Sequence, residues 1–95
     1  MRFEWDEAKS RRNQRKHGFS FAIAKEVFAD PFCLTIFDQV VEGESRLWTI
    51  GRVENLTALV AVHTTRSHNG EEVTRIISAR KATARERRFY EETHV

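Results

Sequence analysis

The stretch RIISARKATARERRFYEE, residues 75–92, decides the fold, because a strand pattern runs into a basic helix with no spacer. From 73 to 79 apolar and polar residues alternate, as on a strand with one buried face. Thr83 then caps a helix that carries Arg85, Arg87 and Arg88. Arg80 and Lys81 fall at the corner, where the strand holds their side chains while solvent still reaches them; such a corner suits a grip on phosphate in fixed geometry. A solvated charged helix accounts for the same residues, since Glu86, Glu91 and Glu92 can pair with its arginines.

Working upstream, the period of two recurs at 58–66, 46–53 and 33–37, with Asn55 and the cluster at 67–70 as turns. Four consecutive strands with short connections predict an antiparallel meander. Before them FEW (3–5) reads as a short strand, and Asp6 as the N-cap of a helix that ends near Lys16 at His17 and Gly18. That helix has only Ala8 as an apolar anchor besides its arginine stems, which predicts weak packing on the surface. Ser20 opens a second helix with Phe21, Ala24, Val27 and Phe28 as its buried stripe, and Asp30 and Pro31 stop it. The order is β-α-α-β-β-β-β-α: an α+β domain with two N-terminal helices on a mostly antiparallel sheet and a basic C-terminal helix.

Ninety-five residues predict one domain with one core over 1–95. A hydrophobic share of 40% with a single proline fits a folded chain. No segment is long enough to span a membrane and no apolar run follows Arg2, so the expected location is the cytoplasm. The lone Cys33 lies in an apolar run and reads as an inert buried thiol. The net charge is only +2, but arginine outnumbers lysine, and acidic residues 26–44 separate a basic start from a basic end. Such a surface attracts nucleic-acid phosphates, and its acidic middle leaves room for a second kind of partner.

His63 ends an otherwise apolar face, Leu59, Ala61 and His63, on the strand at 58–66. It reads as a half-buried structural residue or as a general base or acid. Glu44 precedes a strand on which Arg46, Trp48, Ile50 and Arg52 share a face, and strict alternation sets Arg75 with Ile77 and Ala79, opposite Arg80. An imidazole, a carboxylate and several arginines on adjacent strands match what metal-free RNA cleavage requires: a base for the 2′-hydroxyl, cations for the phosphorane-like transition state, and an acid or water for the leaving 5′-oxygen. His63 or Glu44 serves as the base in that reading, and Arg46, Arg75, Arg80 and Lys81 hold the phosphate. Lys16 and His17 close the first helix at its negative dipole end, a placement that stabilises a helix with or without any further role. His17, His63, His68 and His94 are scattered, so no metal ligand set and no cofactor is expected, and no phosphate-binding glycine loop or nucleophile motif occurs.

Four segments in order, FEWDEAK (3–9), NQRKHGFSF (13–21) with VFADP (27–31), EGESRLWTIG (42–51) with LVAVHTTR (59–66), and RIISARKATARERRFYE, resemble the BrnT family of toxins from bacterial type II toxin–antitoxin modules. The resemblance implies a RelE-like ribonuclease that cuts RNA without a metal and inhibits translation. It also implies a BrnA-like ribbon-helix-helix antitoxin that covers the toxin in a two-plus-two assembly and carries it to operator DNA. Carried over by position, His63, Arg80, Glu44, Arg46 and Arg75 are expected to be catalytic, and Lys16, His17, Lys81 and Tyr90 to contact RNA; Arg85, on the basic C-terminal helix, is expected to contact RNA as well. Arg66 stands where many relatives are expected to carry an acidic residue. Two other functions fit a basic surface: a non-catalytic module that binds nucleic acid or an acidic partner, and a DNA-binding regulator using the first helix, for which no recognition helix follows.

Overall fold

The computed structural model describes residues 1–93, so His94 lies outside the described residues. The chain runs β1 (Arg2–Glu4), α1 (Glu7–His17), α2 (Phe21–Ala24) tightening into a 3-10 turn over Lys25–Ala29, β2 (Leu34–Val41), β3 (Glu44–Arg52), β4 (Ala58–His68), β5 (Glu71–Lys81) and α3 (Ala84–Glu92). The order is the α+β one expected. The sheet reads β1-β5-β4-β3-β2 in space, an antiparallel meander of the last four strands with β1 added parallel to β5. Among the described residues no helix is long and apolar enough to cross a membrane.

Turn chemistry sets the registers. Asn69 (φ 52°) and Gly70 (φ 78°) join β4 to β5, and Glu42 (φ 50°) and Gly43 (φ 80°) join β2 to β3. Both are two-residue loops with two positive φ values, whose twist matches that of the flanking strands. The loop at Glu42 carries a weak signal, so β3 starts earlier than the alternation from Arg46 suggested, and Glu44 belongs to it.

α1 is anchored by polar groups rather than by Ala8. Ser10 and Asn13 are its buried residues. Ser10 Oγ accepts the Phe21 N–H at 2.9 Å. Asn13 donates to the Phe19 and Ala79 carbonyls at 2.8 and 2.9 Å and accepts the Ala79 N–H at 3.2 Å. β1 pairs with β5 only at Val73, Thr74 and Arg75, so beyond its end the Asn13 amide does for the edge of β5 what another strand would.

The sheet has two unequal faces. Against α1, α2 and the 3-10 turn lies a core of Phe21, Ala24, Val27, Val53, Leu59, Ala61, Ile76 and Ala79. On the other face Ile50, Ala58, Val60, Ala82 and Tyr90 form a smaller cluster, with Trp48 at its margin. α3 covers only that end of the face. A β-bulge corrects the expected facing of β5: Val62 pairs with Ser78 but His63 with Ile76, leaving Ile77 as the extra residue. Ile76 and Ala79 therefore both enter the helix-side core, and Arg75, paired with Thr64, comes to the same face as Arg80, paired with Val60.

Candidate functional site

The part of the sheet that α3 leaves open carries the charge. Continuing the β3–β4 ladder one step past Leu47 and His63 sets Arg46 beside Thr64, and Thr64 pairs in turn with Arg75 and Arg75 with Glu4. Gln39 stands outside Arg46, so one rung reads Gln39, Arg46, Thr64, Arg75, Glu4 across all five strands. The arginines flank Thr64 about 10 Å apart at the backbone, one strand spacing on either side. Arg46 Nε and Thr64 Oγ1 are both buried with no protein hydrogen-bond partner, two donors on adjacent positions.

The next rung toward the β4–β5 hairpin holds Glu44 and Arg66. The Arg66 guanidinium forks onto the Glu44 carboxylate, Nε at 3.0 Å and one terminal nitrogen at 3.4 Å, and also lies 3.9 Å from Glu4. Glu44 holds the Arg66 guanidinium above its ordinary pKa. Arg66, the departure from the expected acidic residue, is thus the counter-charge of Glu44. Glu4 also lies 3.6 Å from Arg75, so Glu44, Arg66, Glu4 and Arg75 form a chain of alternating charge.

At the corner of β5 and α3, Arg80 donates to both oxygens of Glu86 at 2.7 and 2.9 Å. Glu86 is also the third residue of a capping box: its carboxylate accepts the Thr83 N–H while Thr83 Oγ1 accepts the Glu86 N–H. The Arg80 hydrogen bonds pull the Glu86 carboxyl down to about 2. One side chain therefore fixes both the start of α3 and the direction of Arg80. Lys81 is exposed but pairs with Leu59 and leaves β5 on the other side.

His63 lies away from this face. It is 4% exposed, edge-on to Phe28 with ring centres 5.0 Å apart, in the layer between sheet and helices. Its Nε2 is 2.8 Å from Thr49 Oγ1, which is 2.8 Å from Thr35 Oγ1. Burial lowers its pKa to about 4, so the ring is neutral near pH 7. The sheet separates it from the arginines, and the expectation of a catalytic base there meets a histidine with no access to a phosphate.

Tyr90, expected to touch RNA, is also 4% exposed. Its hydroxyl donates to Asp30 at 2.5 Å and Arg52 stacks over its ring at 5.5 Å, which ties α3 to the turn before β2. Burial first, and Asp30 second, push its hydroxyl up to about 12. Lys16 and His17 line a groove of ≈ 350 Å³ with Lys9, Arg12, Asn13, Ile77 and Ser78, along the β5 edge. Ser78 faces the same way as Val62, so this basic groove borders the open face. Arg85 is exposed on α3 beside Trp48 and Phe89. Among the described residues no three His, Cys, Asp or Glu side chains converge as a metal site would require.

No curated protein matches this chain. Residues 5–86 match the family model described as the ribonuclease toxin BrnT of type II toxin–antitoxin systems. The match begins at Trp5 and takes in α1, the whole meander and the Arg80–Glu86 corner. With most of the chain matched, the protein belongs to the BrnT family of ribonuclease toxins.

Proposed function

We propose that this toxin cleaves RNA without a metal on the open face of its sheet, with the scissile phosphate over Thr64 between Arg46 and Arg75. The carrying observation is that the bulge at Ile77 gathers Arg75 and Arg80 with Arg46, Arg66 and Glu44 on the face that α3 covers at one end only. Glu44 accepts the 2′-hydroxyl proton; a carboxylate has about four lone-pair positions, so the two Arg66 bonds leave room for it. The 2′-oxygen attacks phosphorus, giving a 2′,3′-cyclic phosphate, and the 5′-oxygen departs with a proton from water. Arg46 and Arg75 neutralise the charge that builds on the non-bridging oxygens. Arg80 extends the cationic track, and Lys16 and His17 continue it along the β5 edge.

The arginines also supply the counter-charge a divalent ion gives other nucleases, since each carboxylate at the site already holds a guanidinium. In this reading His63 and Tyr90 hold the fold, and Lys81 and Arg85 are peripheral contacts.

A type II system pairs its toxin with an antitoxin protein, so an antitoxin is this chain's partner. We propose the finer picture from the family resemblance: one toxin domain acting in the cytoplasm to slow translation, a BrnA-like ribbon-helix-helix antitoxin, two copies of each in the complex, and operator repression through the antitoxin. The test is growth and total RNA in a bacterial host after induction of wild type and Arg46→Ala, with EDTA-treated protein assayed on RNA. Growth arrest with RNA loss in the wild type alone, and cleavage that survives EDTA, is expected. Intact RNA with soluble wild-type protein overturns the reading in favour of a binding module.

A further inference from the structure

Where α3 stops covering the sheet, an apolar groove of ≈ 350 Å³ opens between Ile36 and Trp48 on the strands and Phe89 on the helix, with Arg85 at its rim. Phe89 is 47% exposed, a large apolar ring turned outward on a helix otherwise studded with arginine. Trp48 is half-buried; it leans on the Ile50–Val60–Tyr90 cluster at one side and faces the groove at the other.

We infer that this groove stacks an RNA base next to the cleaved phosphodiester, with Trp48 and Phe89 as its aromatic walls. The proposal rests on the placement of the cleavage site above. Trp48 is two residues from Arg46 on the same face of β3, hence about 6.8 Å along the strand from the phosphate rung, within the reach of one nucleotide. A flat apolar slot that close to a phosphate grip is what single-stranded RNA needs: the backbone goes to cations and the unstacked base to aromatic rings. The local charge suits a polyanion rather than an apolar protein segment. Arg85 edges the slot, Arg46 and Arg80 stand on neighbouring rungs, and the acid that lines it, Glu86, is already neutralised by Arg80. Trp48 and Phe89 would thus set which base flanks the cut, by ring size and stacking strength.

The experiment uses the two-tryptophan protein with Trp5→Phe, which leaves Trp48 as the reporter. The probe is a single-stranded RNA oligonucleotide fully 2′-O-methylated, so that it binds without being cut, beside the same strand carrying abasic positions. Expected is saturable quenching of Trp48 by the full strand and little by the abasic one. Trp48→Ala and Phe89→Ala bind about ten-fold or more weakly, and Trp48→Tyr restores most of the loss. Wild type that cleaves RNA while Trp48 stays unquenched, with unchanged affinity in both alanine variants, overturns this inference alone. Quenching without cleavage of unmodified RNA overturns the catalytic reading and leaves the base slot standing, whereas no RNA binding at all removes both. Quenching by the antitoxin and none by RNA assigns the groove to the partner protein and overturns the proposal.

Discussion

Arg75 and Arg80 share one face of β5 although they stand five positions apart, a spacing that a regular strand turns to opposite faces. The extra residue, Ile77, makes the difference. Because of it, Arg75 lies on the rung of Arg46 and Thr64 while Ile76 and Ala79 stay in the core, so the bulge satisfies packing and gathers cations at once.

Glu86→Gln is expected to cost about 1–2 kcal/mol at pH 7, after allowing for the screening that reaches the 40% exposed Arg80 side chain. The folded pKa of Glu86 is depressed from 4.5 to about 2. Its contribution is therefore present above about pH 4.5 and fades as the pH falls toward 2. Urea unfolding of both proteins from pH 7 to 2.5 checks this: their midpoints converge in acid. A constant offset contradicts the ion pair as its source.

His63 acts in a different window. The unfolded chain takes up its imidazole proton near pH 6.5, while the folded protein resists until about 4, so stability falls as the pH drops between those values. From pH 7 to pH 5 this residue alone removes about 2 kcal/mol. His63→Gln, which keeps an amide for Thr49, is expected to flatten that dependence in thermal unfolding at the two pH values. An unchanged slope counts against it.

Gly51→Ala tests how closely the helical layer approaches the sheet. A Cβ there would meet the Val27 carbonyl oxygen at 2.6 Å and Val27 Cβ at 2.9 Å. The 3-10 turn must then lift from β3, at about 1–3 kcal/mol. Calorimetry should show a melting point at least about 4 °C lower, and an unaltered one is incompatible with this packing.

Asn13→Ala leaves the Phe19 carbonyl and both backbone groups of Ala79 without their partner. The expected loss is about 2–3 kcal/mol, with faster amide exchange at Ala79. Asn13→Asp keeps an acceptor for the Ala79 N–H but loses the donor, so it recovers little. Exchange at Ala79 as slow as in the wild type would contradict the edge-pairing role.

Much of the fold is legible because it rests on local chemistry. Asp6, Ser20 and Thr83 cap helices as their types predict, Gly18 ends α1 with φ +86°, and period-two runs mark the four strands of the meander. The functional face is less legible because one inserted residue reverses the facing of a strand, and Ile76-Ile77 is as apolar as any core pair. His63 misleads for a related reason: a polar residue ending an apolar face looks alike whether it opens to solvent or lies under Phe28. Arg66 is informative only once Glu44 is seen across the hairpin, 22 residues away in sequence.

The most direct test of the arginine face is single-turnover cleavage of a defined RNA by purified Arg75→Ala and His63→Gln, each shown to be folded. Arg75→Ala is expected to lose about 10²- to 10³-fold in the rate, with RNA affinity reduced only several-fold, and His63→Gln to stay within a few-fold of the wild-type rate at pH 7. Full cleavage by Arg75→Ala, with His63→Gln inactive, would place the chemistry on the helix-covered side of the sheet and contradict its placement on the arginine face.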